Sequence, residues 1–111
     1  MAEIVISTTP HAGERRVKRI LGLVSGDAIL GANIFRDLFA SVRDIVGGRS
    51  ASYERELRQA KQLALEEMTQ QAQELGANGV IGVDLDYENI QISNGGNMLM
   101  VSASGTAVLL E

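Results

Sequence analysis

The stretch Leu75–Glu88, LGANGVIGVDLDYE, decides the fold because a helical pattern gives way within it to an alternating one. Gly76 predicts the end of a long helix, since glycine is favoured just after the last helical turn. Beyond the turn Ala77–Gly79, apolar and acidic residues alternate as in a β-strand with one face in water. The stretch therefore predicts a long helix followed directly by a strand, Val80–Glu88.

The long helix before this turn is predicted to begin at Ser50 or Ser52. Its apolar residues recur at helical spacing and form one stripe. The stripe consists of Tyr53, Leu57, Ala60, Ala64, Met68, Ala72 and Leu75. Small residues in the middle of the stripe permit close packing, so this helix is expected to cover a sheet.

Three further segments have strand patterns. Glu3–Ser7 is β-branched and apolar, and Val17–Ser25 is expected to pair antiparallel with it. In that second strand, one face is predicted to carry Val17, Leu21 and Leu23, and the other Ile20 and Val24. The turn Ile92–Asn97 leads into a last strand, Met98–Leu110, which places Ser102, Ser104 and Thr106 on one face.

A shorter amphipathic helix is predicted at Asn33–Val46, with Gly47 and Gly48 as its stop. Its apolar side carries Phe35, Leu38, Phe39 and Val42. The long helix already supplies a stripe for the sheet, so this second apolar side is surplus to a two-layer core. This side therefore belongs either to the core or to a contact between subunits, and we favour the contact.

The predicted order is strand, strand, helix, helix, strand, strand, and the helices are consecutive. This order favours an α+β domain over a doubly wound parallel one. We expect one domain over residues 1–111, with a four-stranded, mostly antiparallel sheet packed by the long helix.

Composition excludes several classes of function. The net charge of −4 and a pI near 5.0 give no electrostatic footprint for nucleic acid. The absence of cysteine excludes disulfides, thiolate nucleophiles and Cys-based metal sites. The sequence has no signal-peptide pattern and no apolar run of about 20 residues, so we expect a cytoplasmic protein without a membrane segment.

Two groups of residues are candidates for a metal site. His11 is the only histidine and lies in a polar turn. Asp84, Asp86 and Glu88 share one face of their strand, opposite Ile81, Val83, Leu85 and Tyr87, and their carboxylates could converge on a hard cation. The alternatives are an exposed turn histidine and a solvated sheet face, because alternate strand residues lie about 6.6 Å apart.

Glycines at positions 22, 26 and 31 do not form a phosphate loop. Their spacing matches neither the dinucleotide fingerprint nor a Walker loop. A bulged strand explains them better.

Four stretches together resemble the YbjQ family of small bacterial proteins: STTPH (7–11), GLVSGDAILGANIFRDLFASVRDIVGGRSASYERELRQAK (22–61), LGANGVIGVDLDYE (75–88) and MLMVSASGTAV (98–108). The resemblance covers nearly the whole chain. It implies heavy-metal binding, an α+β fold related to the dodecin subunit, and a pentameric ring. It supplies no catalytic residues. With no cysteine, a soft metal would depend on His11, the methionines or shared carboxylates.

The leading hypothesis is a non-enzymatic homo-oligomer that binds a divalent metal ion or small ligand where subunits meet. One alternative is a scaffolding ring that binds a protein partner. Another is an enzyme whose site is assembled across subunits from His11 and acidic residues.

Overall fold

The computed structural model describes residues 3–30, 51–91 and 97–111, with the main chain alone for 51–53, 91 and 97. It contains four strands and one helix in the described ranges. These are β1 (Val5–Ile6), β2 (Val17–Leu30), α1 (Ala51–Glu74), β3 (Gly79–Gln91) and β4 (Asn97–Leu110). The strands form one mixed sheet in the order β1-β3-β4-β2, which confirms the α+β prediction.

The central strand of the sheet is β4. It pairs antiparallel with β2 on one side and with β3 on the other, while β1 pairs parallel with β3. The prediction that the first two strands pair with each other is therefore wrong, because β1 and β2 lie at opposite edges. The connection between them crosses the sheet, where buried Ala12 packs on Val108 and Leu110. Burial of these apolar side chains fixes the crossing.

Helix α1 ends as predicted. Gly76 has a positive φ of 82°, and the amide of Ala77 donates to the carbonyl of Ala72 at 3.0 Å. Glycine adopts this left-handed conformation without the steric cost that a Cβ would add. The predicted stripe is buried at Ala60, Ala64, Met68 and Ala72. Leu75 at its end is 46% exposed.

The helix packs closest against β2. A Cβ on Gly26 would lie 2.1 Å from the carbonyl oxygen of Ala64 and 2.6 Å from the amide nitrogen of Met68. Glycine at this position lets the main chains of α1 and β2 approach. The face of the sheet under α1 is called the inner face below, and the opposite face the outer face.

Two of the three bulges in the described sheet change which side chains reach each face, compared with the prediction. The register of β2 with β4 shifts between Ile20 and Gly22, and that of β3 with β4 shifts between Ile81 and Asp84. The extra residues place Leu21 on the inner face and Ile81 on the outer face. The predicted alternation in these strands is therefore wrong at Leu21 and Ile81. The prediction that a bulged strand explains the glycines holds for Gly22.

Three predictions lie wholly or mostly outside the described residues. They are the short helix Asn33–Val46, its proposed interface of Phe35, Leu38, Phe39 and Val42, and the turn Ile92–Asn97, of which residues 92–96 are not described. Ser50 also lies outside them, and Ser52 lies inside α1, which begins at Ala51.

Candidate functional site

The outer face carries most of the polar side chains that the sheet presents. In the pairing with β4, Ser104 is opposite Asp84 on one side and Ser25 on the other. Two residues along, Ser102 is opposite Asp86 and Asp27. Ser102, Ser104 and Thr106 thus share a face, as the alternation predicted, and that face also holds the acidic residues.

Asp84 and Asp86 are brought into contact at the centre of this polar surface. The negative charge of Asp84 is the main cause that raises the pKa of the Asp86 carboxyl above its usual value. A hydrogen bond between the two carboxyls, partial loss of hydration and the charge of Glu88 raise that pKa further.

A second polar contact lies across β4 from this pair. The hydroxyl of Ser102 donates to Oδ1 of Asp27 at 2.5 Å. Asp27 and Asp86 flank Ser102 on neighbouring strands, so their main chains are separated by two strand spacings, about 9.6 Å. The polar surface therefore extends from β3 to the edge strand β2.

Sequence reasoning missed Asp27. The second strand was expected to end at Ser25, whereas β2 continues to Leu30. If the predicted strand had been extended by two residues, the alternation of Leu23 and Ser25 would have placed the Asp27 carboxylate on the same face as Ser25.

His11 lies apart from the acidic residues. It is exposed and lines a shallow groove with Arg15, Ile20 and Ile81, and none of the three predicted acids lines that groove. Its main-chain carbonyl accepts hydrogen bonds from the hydroxyls of Thr9 and Ser7. These contacts order the connection between β1 and β2.

Within residues 3–30, 51–91 and 97–111, no three His, Asp or Glu side chains are grouped closely enough to hold a metal ion. The donors on the outer face are carboxylate and hydroxyl oxygens, together with the thioether of half-buried Met100 opposite Glu88. Oxygen donors suit hard divalent cations, whereas a soft heavy metal prefers thiolates. One described chain thus offers part of a cation site and does not fit a complete soft-metal centre.

Comparison with known proteins identifies the family. The model of the YbjQ family, described as "Putative heavy-metal-binding", matches residues 4–111. The chain belongs to the YbjQ family. The resemblance inferred from its four sequence stretches is therefore confirmed.

A solved structure shares the fold of this YbjQ-family chain. It is a crystal structure of a protein with unknown function, of the DUF74 family, from Pediococcus pentosaceus. The two are 16% identical, with a TM-score of 0.65, over 97% of this chain and 98% of that one. At this identity the likeness concerns the fold alone.

In the part of the chain that the structure describes, no helix is both long and apolar enough to cross a membrane.

Proposed function

We propose that this YbjQ-family chain is a non-enzymatic binding protein that assembles into a ring of identical subunits, five by its family resemblance. It would hold a divalent metal ion or a small ligand where subunits meet. The observation that supports this most is the contact between the Asp84 and Asp86 carboxyls on the open outer face.

Two carboxyls in contact favour a cation for an electrostatic reason. When both are ionised they repel each other, and a shared proton or a bound cation relieves that repulsion. A divalent ion would relieve the repulsion by accepting oxygen ligands from both residues. Ser104 and Ser102, opposite these two residues on β4, would add neutral oxygen atoms nearby.

A subunit contact would complete such a site. Glu88 is two residues beyond Asp86, about 6.6 Å along the strand, which is too far for one ion to bind all three acids of a straight strand. A divalent cation takes more ligands than two carboxylates provide. The remaining donors would come from a second copy, with His11 and Glu88 as the candidates.

The test is native mass spectrometry of the untagged protein, titrated with Mn²⁺, Zn²⁺ or Ca²⁺. We expect saturable binding of one of these ions by the wild-type assembly. The paired substitution Asp84→Asn and Asp86→Asn should weaken it at least about tenfold, because both anionic ligands are lost. Glu74→Gln, which removes one exposed carboxylate at the end of α1, is the matched control and should bind like wild type.

Two results would contradict the metal proposal. One is a wild-type assembly that gains no mass with any of the three ions. The other is binding that survives the paired substitution. A ring without added mass, also after exposure to a cell metabolite extract, would support the scaffolding alternative.

The proposal includes a cytoplasmic location, on the ground that the sequence lacks a long apolar segment. Cell fractionation followed by detection of the chain tests it.

A further inference from the structure

Two surfaces of opposite charge lie at the two ends of β2. At its start is a segment called here the basic end, which consists of Arg15, Arg16, Lys18, Arg19 and Ile20. At its finish, a groove of about 540 Å³ runs between the last residues of β2 and α1 and is called here the acidic groove. It is lined, among others, by Asp27, Ile29, Glu56, Leu63, Glu66 and Glu67.

The acidic groove combines negative charge with exposed apolar surface. Four carboxylates line it, and its described lining includes no lysine or arginine. Ile29 and Leu63 are 53% and 51% exposed. Apolar side chains this open, ringed by like charges, are typical of a protein interaction site.

The basic end has the complementary composition. It carries four cationic residues within five positions, and Ile20 beside them is 68% exposed. Nε of Arg15 donates to the main-chain carbonyl of Glu111 at 3.1 Å. Lys18 and Arg19 are exposed, so their charges can reach a partner.

The two surfaces cannot meet within one chain. From Lys18 to Ala28 the strand spans ten residues, about 33 Å at 3.3 Å per residue. A contact between the basic end and the acidic groove has to join two molecules.

Simple edge-to-edge pairing of two β2 strands is disfavoured by a contact at the middle of the strand. The amide of Ser25 donates to Oε1 of Gln71 on α1 at 3.0 Å. An antiparallel pairing of two β2 strands would centre near Leu23 and Val24 and would need this amide. A contact between the basic end of one copy and the acidic groove of another leaves the hydrogen bond of Ser25 with Gln71 intact.

We propose that a second copy of this chain occupies the acidic groove by inserting its basic end, so that copies join head to tail. Arg15, Lys18 and Arg19 of one copy would face the groove carboxylates of the next, and Ile20 would pack between Ile29 and Leu63. A head-to-tail contact with the right rotation closes into a ring. This inference rests on the proposed homo-oligomer and names the surfaces that build it.

The test uses two charge-reversal variants of the full chain, followed by size-exclusion chromatography with light scattering at about 0.15 M salt. The basic-end variant carries Lys18→Glu and Arg19→Glu, and the groove variant carries Glu66→Lys and Glu67→Lys. Each alone should be monomeric, because one side of every contact is reversed. An equimolar mixture should assemble beyond a dimer with the two variants alternating, since the intact basic end fits the intact groove and the two reversed surfaces are complementary to each other.

Combining all four substitutions in one chain should restore the wild-type mass, because the charges are then complementary again. The matched control is Arg55→Glu with Glu74→Lys, two reversals on α1 outside the groove, which should keep the wild-type mass. Far-UV circular dichroism of each variant checks that it folds. A mixture that stops at a dimer would instead indicate a two-fold contact, in which both pairs of surfaces meet between two chains, and would overturn the head-to-tail arrangement.

Failure of this inference can be distinguished from failure of the proposed function. A monomeric wild-type chain at all concentrations overturns both. A wild-type oligomer whose mass neither variant changes overturns only the assignment of these two surfaces, and the groove then binds something other than a second copy.

Discussion

Asp84 and Asp86 determine how the outer face responds to pH. The Asp84 charge is the largest cause of the raised pKa of Asp86, and Glu88 is the smallest. We predict that Asp84→Asn lowers the pKa of Asp86 towards its usual value, and that Glu88→Gln lowers it less. Carboxyl ¹³C titration by NMR measures both. An unchanged pKa in Asp84→Asn would show that the two carboxyls are not in contact.

The same pair has a defined effect on stability. A carboxyl whose pKa is higher in the folded than in the unfolded state binds its proton more tightly when folded. Ionisation of Asp86 therefore lowers the free energy of unfolding as the pH rises through its raised pKa. Asp84→Asn should be more stable than wild type at neutral pH through this effect, and urea unfolding should show that advantage shrinking as the pH falls through the raised pKa.

Individual side chains were predictable where the strand alternation is unbroken. Asp84, Asp86 and Glu88 share a face as the pattern indicated, because no bulge lies among them. Ile81 was assigned to the wrong face because a bulge follows it, with Gly82 at a φ of 61°. The apolar pattern of a sequence does not show where a bulge inserts an extra residue into the pairing of two strands. The hydrogen bond of Ser102 with Asp27 joins residues 75 positions apart and has no local signature.

The packing of α1 on β2 depends on one position. A Cβ at Gly26 would meet main-chain atoms of Ala64 and Met68, which cannot rotate away as a side chain can. We predict that Gly26→Ala forces the helix outward and lowers the free energy of unfolding by about 1–3 kcal/mol, as overpacked cores do. Urea denaturation measures this loss.

The matched control is the neighbouring residue. Ser25→Ala changes an exposed side chain and retains the amide that donates to Gln71. It should shift the free energy of unfolding by no more than about 0.5 kcal/mol. A Gly26→Ala variant as stable as this control would mean that the helix does not approach β2 so closely.

The elements themselves were largely predictable, and their order in space was not. The apolar stripe predicted the long helix and Gly76 predicted its end, and each strand had a local pattern of apolar residues. Consecutive strands usually pair, which is why β1 and β2 were expected to be neighbours. The burial of Ala12 on Val108 and Leu110 carries the chain across the sheet instead. A single alanine within the polar stretch HAGERR gives no sign of this role.

For the whole molecule, β2 shows which apolar surface belongs to the monomer and which to an assembly. Ile20 is 68% exposed in the basic end, whereas Val24 is 2% exposed under α1. We predict that Ile20→Ser leaves the stability of the dilute monomer within about 0.5 kcal/mol and reduces self-association, because Ile20 lies in the proposed contact. Val24→Ser should cost several kcal/mol at every concentration, because it removes core packing and buries a hydroxyl.

Equilibrium unfolding at low and high protein concentration, with sedimentation velocity, separates the two effects. Equal losses of stability in both variants would mean that Ile20 is covered within the monomer.

The family was recognisable from sequence because its stretches span the chain. The number of subunits stays a prediction, since a fold under about 120 residues is compatible with several assemblies.

The central position of β4 has a consequence for how the protein is made. β2 pairs only with β4 within the described sheet, from Val17 with Leu110 to Leu30 with Leu99. During translation β2 leaves the ribosome some seventy to ninety residues before its partner, so it has no strand to bond while the rest is synthesised. Its apolar side chains are exposed throughout that interval. The nascent chain should therefore depend on chaperone binding at β2 until the last strand emerges.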